Sequence, residues 1–426
     1  MLEPRPVMKA PNIGDQISPK DAMKLALILA RRGAGFVSPN PMVGCVIVDE
    51  QHRFVAGGWH AKVGQAHAEV EALERLALIR GKKEAVAGCH VYVTLEPCAH
   101  EGRTGSCAQM LAPLKPASVT YAVEDPNPLV SGQGRKILEA AGVRVACLSQ
   151  NQSLESASAN FSWPAFPERP VSLGEIRELV AEAEDLCEIF LWSMRNRGEG
   201  ALPFVTVKVA SSLDGRVALH SGESKWITSE QAREKGHRLR LEHDAIIVGR
   251  RTIETDNPSL NVRLDDVSNH TNSVIVVDPK GKIVDRLIEY EITKVRPTNR
   301  VYVCTQTGLA DPKAVARGKE HGLHIFEVDG SSEGIVNLRA MLVKIREYGI
   351  QGLYVEGGAG TVGPFLDNGL ANRLHVFMAM SVLGGKHAMG WSDACGVQSL
   401  AESWKLTRQR VKLIGPDIHI TGRLDL

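Results

Sequence analysis

Two series of strand-like apolar runs alternate with helical segments along this 426-residue chain, and a turn-rich stretch separates them. That alternation limits the fold more than any other feature. In the first series, Val43 to Val48, His90 to Leu95, Ser118 to Val123 and Val143 to Leu148 read as strands. Helices are expected from Ser18 to Arg32, His67 to Arg80, Ser106 to Leu114 and Gly134 to Ala141. Ser18-Pro19 with Asp21 is a helix start, and Gly33 a stop. The second series has runs at Phe204–Val209, Ala245–Val248, Ser273–Val277, Arg300–Cys304, His324–Val328, Gly352–Val355 and Leu374–Met378. Its helices are expected at Ser229–Glu242, Asn337–Glu347 and Gly360–Asn368. Strands and helices joined by short links predict α/β layered domains. Between the series, Ser153, Ser156, Ser158, Trp163, Pro164, Pro167 and Pro170 precede a helical segment from Leu173 to Arg195 and a Gly198-Glu199-Gly200 linker. We therefore expect domains at 1–165 and 203–426, with 166–202 as the connecting segment.

Composition narrows the function classes. Fifty basic against forty-nine acidic side chains leave no global pull toward nucleic acid or anionic membrane. No apolar run approaches a membrane span, and Met1 to Asp15 lacks the apolar core of a secretion signal. Eight cysteines in so long a chain are no disulfide scaffold, which fits a reducing cytoplasm. Cys45, Cys89, Cys147 and Cys304 sit in apolar runs and read as core residues.

Cys98 and Cys107 read differently. His67-Ala68-Glu69 opens one helix, Pro97-Cys98 comes after a strand, and Cys107 lies further on. One imidazole and two thiolates give three zinc ligands and leave a position for water, as catalytic zinc requires. Glu69, two residues from His67, is placed to move protons rather than to bind metal. This is the His-x-Glu and Pro-Cys pattern of zinc nucleobase deaminases. A purely structural zinc site is the rival reading, and Glu69 argues against it. The pattern's usual two-residue cysteine spacing is here eight residues, Ala99 to Ser106, with His100 and Arg103 in the insert. A cationic, Gly-flanked loop there suits a phosphate-bearing substrate.

Further runs join these motifs: Ser38-Pro39-Asn40-Pro41-Met42-Val43-Gly44-Cys45-Val46, Gly58-Trp59-His60, Thr94-Leu95-Glu96-Pro97-Cys98, Gly102-Arg103-Thr104 and Glu124-Asp125-Pro126-Asn127-Pro128-Leu129-Val130. Together they closely resemble the bifunctional diaminohydroxyphosphoribosylaminopyrimidine deaminase / 5-amino-6-(5-phosphoribosylamino)uracil reductase family of riboflavin synthesis, in which long cysteine spacing is typical. The resemblance implies an N-terminal cytidine-deaminase-like three-layer domain and a C-terminal dihydrofolate-reductase-like α/β domain. It implies deamination of a pyrimidine ribosyl phosphate, with Asn40, His60, His100 and Arg103 at substrate-contacting positions. It also implies a homo-oligomer, dimer or tetramer.

In the second half, Glu356-Gly357-Gly358-Ala359-Gly360-Thr361 succeeds an apolar strand and enters a helix, where glycines let backbone approach a pyrophosphate. It is not the dinucleotide fingerprint, so the pattern alone leaves a nucleotide site open. The resemblance places NADPH at Ala210, Trp226, Thr252, Asp256, Pro279 and Gly358, Ala359, Gly360, Thr361, Val362, Gly363, Pro364. It places substrate at Ser224, Arg240, Leu260, Arg263 and Glu356, and Lys208 in the active site. Arg240 and Arg263 suit a phosphate clamp. Hydride transfer from NADPH to the ribosyl C1′ is implied, with Lys208 and Glu356 as candidates for moving protons. Arg251, before Thr252, and Met380 depart from the usual pattern. The alternative is a zinc nucleobase or nucleic-acid deaminase with a non-catalytic C-terminal domain. A zinc-stabilised binding protein is a further rival.

Overall fold

The computed structural model describes residues 10–99, 105–127, 131–151, 171–267, 270–331, 334–385, 387–392, 396 and 398–424. Contacts divide the chain into two units, Met1–Arg195 and Asn196–Leu426.

The first unit contains α1 (Pro19–Ala30), β1 (Gly44–Val48), β2 (Phe54–Trp59), α2 (Ala68–Arg80), β3 (His90–Leu95), α3 (Cys107–Leu114), β4 (Ser118–Val123), α4 (Gln133–Ala140), β5 (Arg144–Cys147), α5 (Leu173–Leu186) and α6 (Glu188–Arg195). Its sheet has the order β2-β1-β3-β4-β5. β1 is antiparallel to β2 and β3, while β3, β4 and β5 are parallel. Side chains alternate across the sheet. Cys45, Ile47, Val91 and Val93 pack with Leu73 of α2 and Leu111 of α3, whereas Val46, Val48 and Tyr92 pack with Met23 of α1 and Leu179 of α5. Both faces are covered, giving the expected three layers, and this is why the strands read as unbroken apolar runs. β2 gives no such run because Gly57 and Gly58 interrupt it. A Cβ at Gly58 would lie 2.5 Å from the carbonyl oxygen of Ala68, so glycine lets the start of α2 lie against the sheet.

Residues 173–195, expected within the connection, form α5 and α6 and belong to the first unit. The apolar stripe Ile176, Leu179, Val180 and Ala183 must be buried, and α1 supplies the facing surface. Lys20 pairs with Glu175, whose carboxylate also closes a capping box with Ser172.

The second unit contains β6 (Phe204–Ser212), β7 (Arg216–Ala218), α7 (Glu230–Leu241), β8 (Ala245–Gly249), α8 (Arg250–Asp256), β9 (Ser273–Val277), α9 (Glu291–Lys294), β10 (Val301–Gln306), α10 (Pro312–Glu320), β11 (His324–Val328), α11 (Leu338–Glu347), β12 (Gly352–Glu356), α12 (Ala359–Asp367), β13 (Arg373–Ala379), β14 (Met389–Gly390), β15 (Leu406–Ile414) and β16 (Asp417–Leu424). The nine-stranded sheet runs β11-β10-β9-β8-β12-β6-β13-β16-β15, and β14 pairs separately with β7. Strands from β11 to β13 are parallel, with β16 and β15 antiparallel at the edge. Val205, Val207 and Ile247 pack toward α11 and α12. Ile246, Val248, Tyr354 and Phe377 pack toward α7 on the other face. The chain leaves β6, builds β8 to β11 outward, and returns to insert β12 between β8 and β6. The C-terminal ends of β6, β8, β9 and β12 thus share one edge, the place where open α/β sheets bind ligands. β15 and β16 escape a reading of the sequence because exposed Arg408 and Lys412, half-buried Arg410, and polar His419 and Thr421 break the apolar pattern. Among the described residues, no helix is long and apolar enough to cross a membrane.

Candidate active sites of the two units

In the first unit, the turn after β3 carries Cys98, and the starts of α2 and α3 carry His67 and Cys107. Ser106 caps α3 by accepting the N–H of Gln109, and its hydroxyl donates to the Cys98 carbonyl at 2.8 Å. That bridge closes the eight-residue insert and returns Cys107 to Cys98. The ligand atoms of His67, Cys98 and Cys107 all lie within 4.8 Å of one another. His67 Nδ1 is 3.6 Å from Cys98 Sγ and 3.3 Å from Cys107 Sγ. The Cys107 backbone N–H donates to Cys98 Sγ. The Cys107 thiol also donates to Cys98, and with His67 this holds Cys98 well below an ordinary thiol, in the form that binds metal. One nitrogen and two sulfur donors fit zinc.

Glu69, in the first turn of α2, is 4% exposed and faces Cys107. Burial, and then the Cys98 thiolate, push its carboxyl up to about 7. His60 lies edge-on to His67, with ring centroids 5.5 Å apart. Its Nδ1 donates to the Ala66 carbonyl at 2.9 Å, which leaves Nε2 to accept from Asn40 Nδ2 at 3.1 Å. Burial lowers the His60 pKa, in keeping with this neutral form. The Asn40 amide is thereby oriented, with Oδ1 left to accept. His100 and Arg103 lie outside the described residues.

Glu96 has a part that its place in the sequence motif does not reveal. Buried at the end of β3, its carboxylate accepts backbone N–H bonds from Asp125, Gly132 and Arg135. It ties the segment after β4 and the start of α4 to the Cys98 turn. Burial raises its pKa, partly offset by these bonds. Gly134 is required there, because a Cβ would sit 2.0 Å from the Pro97 carbonyl oxygen. A lone acid before Pro-Cys is the one signal of it in the sequence.

In the second unit, Lys208 of β6 and Glu356 of β12 are register partners. Glu356 Oε2 accepts from Arg240 Nε at 2.9 Å and Nη2 at 2.7 Å. Burial would raise the Glu356 pKa, but Arg240 and Lys208 outweigh it and hold the carboxyl below its ordinary value. Burial lowers the Lys208 pKa, partly offset by Glu356. Arg240 also donates to the Asn261 carbonyl, which brings the segment carrying Leu260 and Arg263 to this group. Leu260 is buried, and Arg263 is exposed.

The expected cofactor residues sit along the shared strand edge. Gly358 caps α12 directly after Glu356 and Gly357. Within α12, Ala359, Val362 and Gly363 are buried, Thr361 and Pro364 half-buried, and Gly360 exposed. Thr252 and Asp256 lie in α8 after β8, Pro279 lies just past β9, and Ala210 is in the C-terminal half of β6. A Cβ on Gly249 would meet Thr361 Oγ1 at 3.1 Å, so the β8 and β12 ends lie together. Ser224 and Trp226 lie between β7 and α7, where Trp226, 66% exposed, stacks under the Arg233 guanidinium at 4.5 Å. Sequence reasoning missed Asp214, whose carboxylate accepts from Ser212 Oγ and from the N–H groups of Leu383 and Gly384. It fixes the turn after β13.

Comparisons with known proteins match both units. Residues 17–123 match the cytidine and deoxycytidylate deaminase zinc-binding region, and residues 203–420 match the RibD C-terminal domain. The riboflavin biosynthesis protein RibD of Bacillus amyloliquefaciens is 35% identical over 400 residues, covering 94% of this chain and 95% of that protein. RibD of Escherichia coli strain K12 is 32% identical over 403 residues, covering 94% and 98%. The Acinetobacter baumannii RibD structure superimposes with a TM-score of 0.71 at 30% identity, covering 96% of this chain and 99% of that one. The deaminase/reductase structure from Thermotoga maritima gives a TM-score of 0.72 at 28% identity, covering 95% and 98%. Matches through both units do not favour a nucleic-acid deaminase with an idle second half. With its zinc-type cluster in a deaminase fold joined to a matching reductase domain, the chain belongs to the RibD family of riboflavin-biosynthesis proteins, which are bifunctional deaminases and reductases.

Proposed function

We propose that the first unit deaminates 2,5-diamino-6-(ribosylamino)pyrimidin-4-one 5′-phosphate at its 2-amino group. The second unit then reduces the ribosyl group of the product to ribityl with NADPH. The observation that carries the first step is a buried carboxyl, Glu69, beside three metal-type ligands. Zinc held by His67, Cys98 and Cys107 would acidify water toward neutrality. Glu69, with a pKa near 7, takes a proton from the attacking water and delivers it to the departing ammonia. Asn40, oriented by His60, offers Oδ1 to a substrate N–H. The resemblance adds His100 and Arg103 as further substrate-binding residues.

In the second unit, the start of α12 with Ala210, Thr252, Asp256, Pro279 and Trp226 would hold NADPH, which would supply the hydride. Arg240 and Arg263 clamp the 5′-phosphate. Ser224, Leu260 and Glu356 contact the substrate. As the ribose opens, its ring oxygen gains a proton and the anomeric N–H loses one. C1′ then receives the hydride and the nitrogen a proton. Lys208, whose burial loosens its proton, and Glu356, held ionised by Arg240, are the groups in place to move these protons. We assign the deaminase domain to the first unit and the reductase domain to the second. A cytoplasmic location is supported by the free state of the described cysteines. Assembly as a dimer or tetramer is carried over from the family and is tested by sedimentation.

NADPH oxidation by the purified zinc-loaded protein tests the sequence of steps. The diamino substrate is expected to drive oxidation, and Glu69→Ala to abolish it while the deaminated compound is still reduced. Failure with the deaminated compound would overturn the reductase assignment.

A further inference from the structure

We propose that His237 is a positioning residue of the reductase site. It holds Arg263 in register with Arg240 by accepting the Arg263 backbone N–H, and it does so without bringing a negative charge to the clamp. This rests on reading Arg240 and Arg263 as the phosphate clamp.

From Ser259 to Asn261, each carbonyl accepts from an arginine. Arg296 donates to Ser259 and Leu260, both at 2.8 Å, and Arg240 donates to Asn261 at 3.0 Å. Leu260 is held there at a φ of 48°. The Arg263 guanidinium turns back on Ser259 Oγ and Asn261 Oδ1. What the arginines cannot supply is an acceptor, since a guanidinium has none. The N–H of Arg263 finds one in His237 Nδ1, at 3.3 Å. His237 is on α7 three residues before Arg240, so both side chains share one helix face.

The charges around it explain the choice of side chain. Arg240 from its own helix, Arg263 and the Asn261 backbone from the loop, and Glu356 from β12 face the imidazole. A carboxylate would accept the N–H more strongly, but it would set a second anion beside the clamp, where Glu356 already pairs with Arg240, and would draw on Arg263 as well. A neutral imidazole accepts without that cost. Burial, and then the two arginines, disfavour its protonation.

The test uses the full-length protein, saturating NADPH, and the reductase substrate with and without its 5′-phosphate. His237→Leu is expected to raise KM for the phosphorylated substrate about tenfold, the equivalent of one hydrogen bond. It should leave kcat, KM for NADPH and KM for the dephosphorylated compound near wild type. His237→Asn, whose Oδ1 supplies an acceptor near the same place, should restore most of the loss. If the leucine variant does not fold, His237→Gln, whose longer arm misplaces the acceptor, should show the same KM change. Retention of the phosphate preference by the leucine or glutamine variant overturns the proposal. So does a fall that affects both substrates alike. Arg263→Gln separates the positioning role from the clamp itself: if it also keeps the preference, the clamp reading is wrong.

Discussion

Glu356→Gln probes the group on which the reductase site is built. The wild-type carboxylate takes two charge-assisted bonds from Arg240, and both side chains are largely buried, at 11% and 16% exposure. Such bonds contribute roughly 1.5–3 kcal/mol each, and removing one partner of a buried pair costs about 3–5 kcal/mol. Glutamine keeps one carbonyl acceptor, so the loss should fall at the lower end, about 3 kcal/mol. It also leaves Arg240 and Lys208 facing each other with no anion between them. In a unit of this size each kcal/mol moves the melting temperature by roughly 2–4 °C, so a fall of about 6–12 °C is expected. Calorimetry of the single variants, Glu356→Gln and Arg240→Met, and of the double variant closes the cycle. The pair should be coupled by at least about 2 kcal/mol, the double variant being less harmed than the sum of the singles. Additivity within about 0.5 kcal/mol would refute the idea that these charges support one another. The linkage has a definite sign. The Glu356 pKa is depressed in the folded state, so its contribution is complete above the ordinary glutamate range near pH 4.3 and is lost as pH falls through the lower folded value.

Other parts of the molecule give three further expected outcomes. Glu96→Gln should cost the first unit roughly 1–3 kcal/mol, because its amide cannot accept all three backbone N–H bonds, and should raise KM for deamination; unchanged melting and kinetics would remove its latch role. His375 and His419 lie 2.9 Å apart in the second unit, and burial lowers both pKa values, that of His419 to about 4. Both stay neutral when folded, so stability should decline as pH falls from the ordinary histidine range near 6.5 toward 4, and the His375→Leu/His419→Phe double variant should flatten that slope in a melting series. Chelation of the metal should abolish ammonia release from the diamino substrate while NADPH reduction of the deaminated compound continues; loss of both activities would contradict the division of labour.

The sequence alone determined a great deal. Strands buried on both faces have no choice but to be apolar throughout, so β1, β3, β4 and most of the parallel strands of the second unit were legible as uninterrupted runs. The same holds for Ser18, Ser106 and Ser229, whose hydroxyls cap helices because each stands directly before a run of helix-forming residues. His67, Cys98 and Cys107 could be grouped from the sequence because metal chemistry favours those types, and Glu69 joins them by its spacing; His67, Glu69 and Cys107 stand at helix starts and Cys98 follows a strand. The edge strands β15 and β16 were not, because polar side chains erase the pattern on a half-exposed surface.

Only the tertiary structure decided which distant residues act together. Insertion of β12 between β8 and β6 sets Glu356 opposite Lys208 and within reach of Arg240, a meeting that no local pattern contains. Glu96, His237 and Asp214 act through backbone N–H groups far along the chain, and any residue type carries that donor except proline. Their partners therefore leave no mark in the sequence. Local chemistry is written in side-chain identity and spacing, whereas a side chain's hold on a remote backbone is fixed by topology and packing.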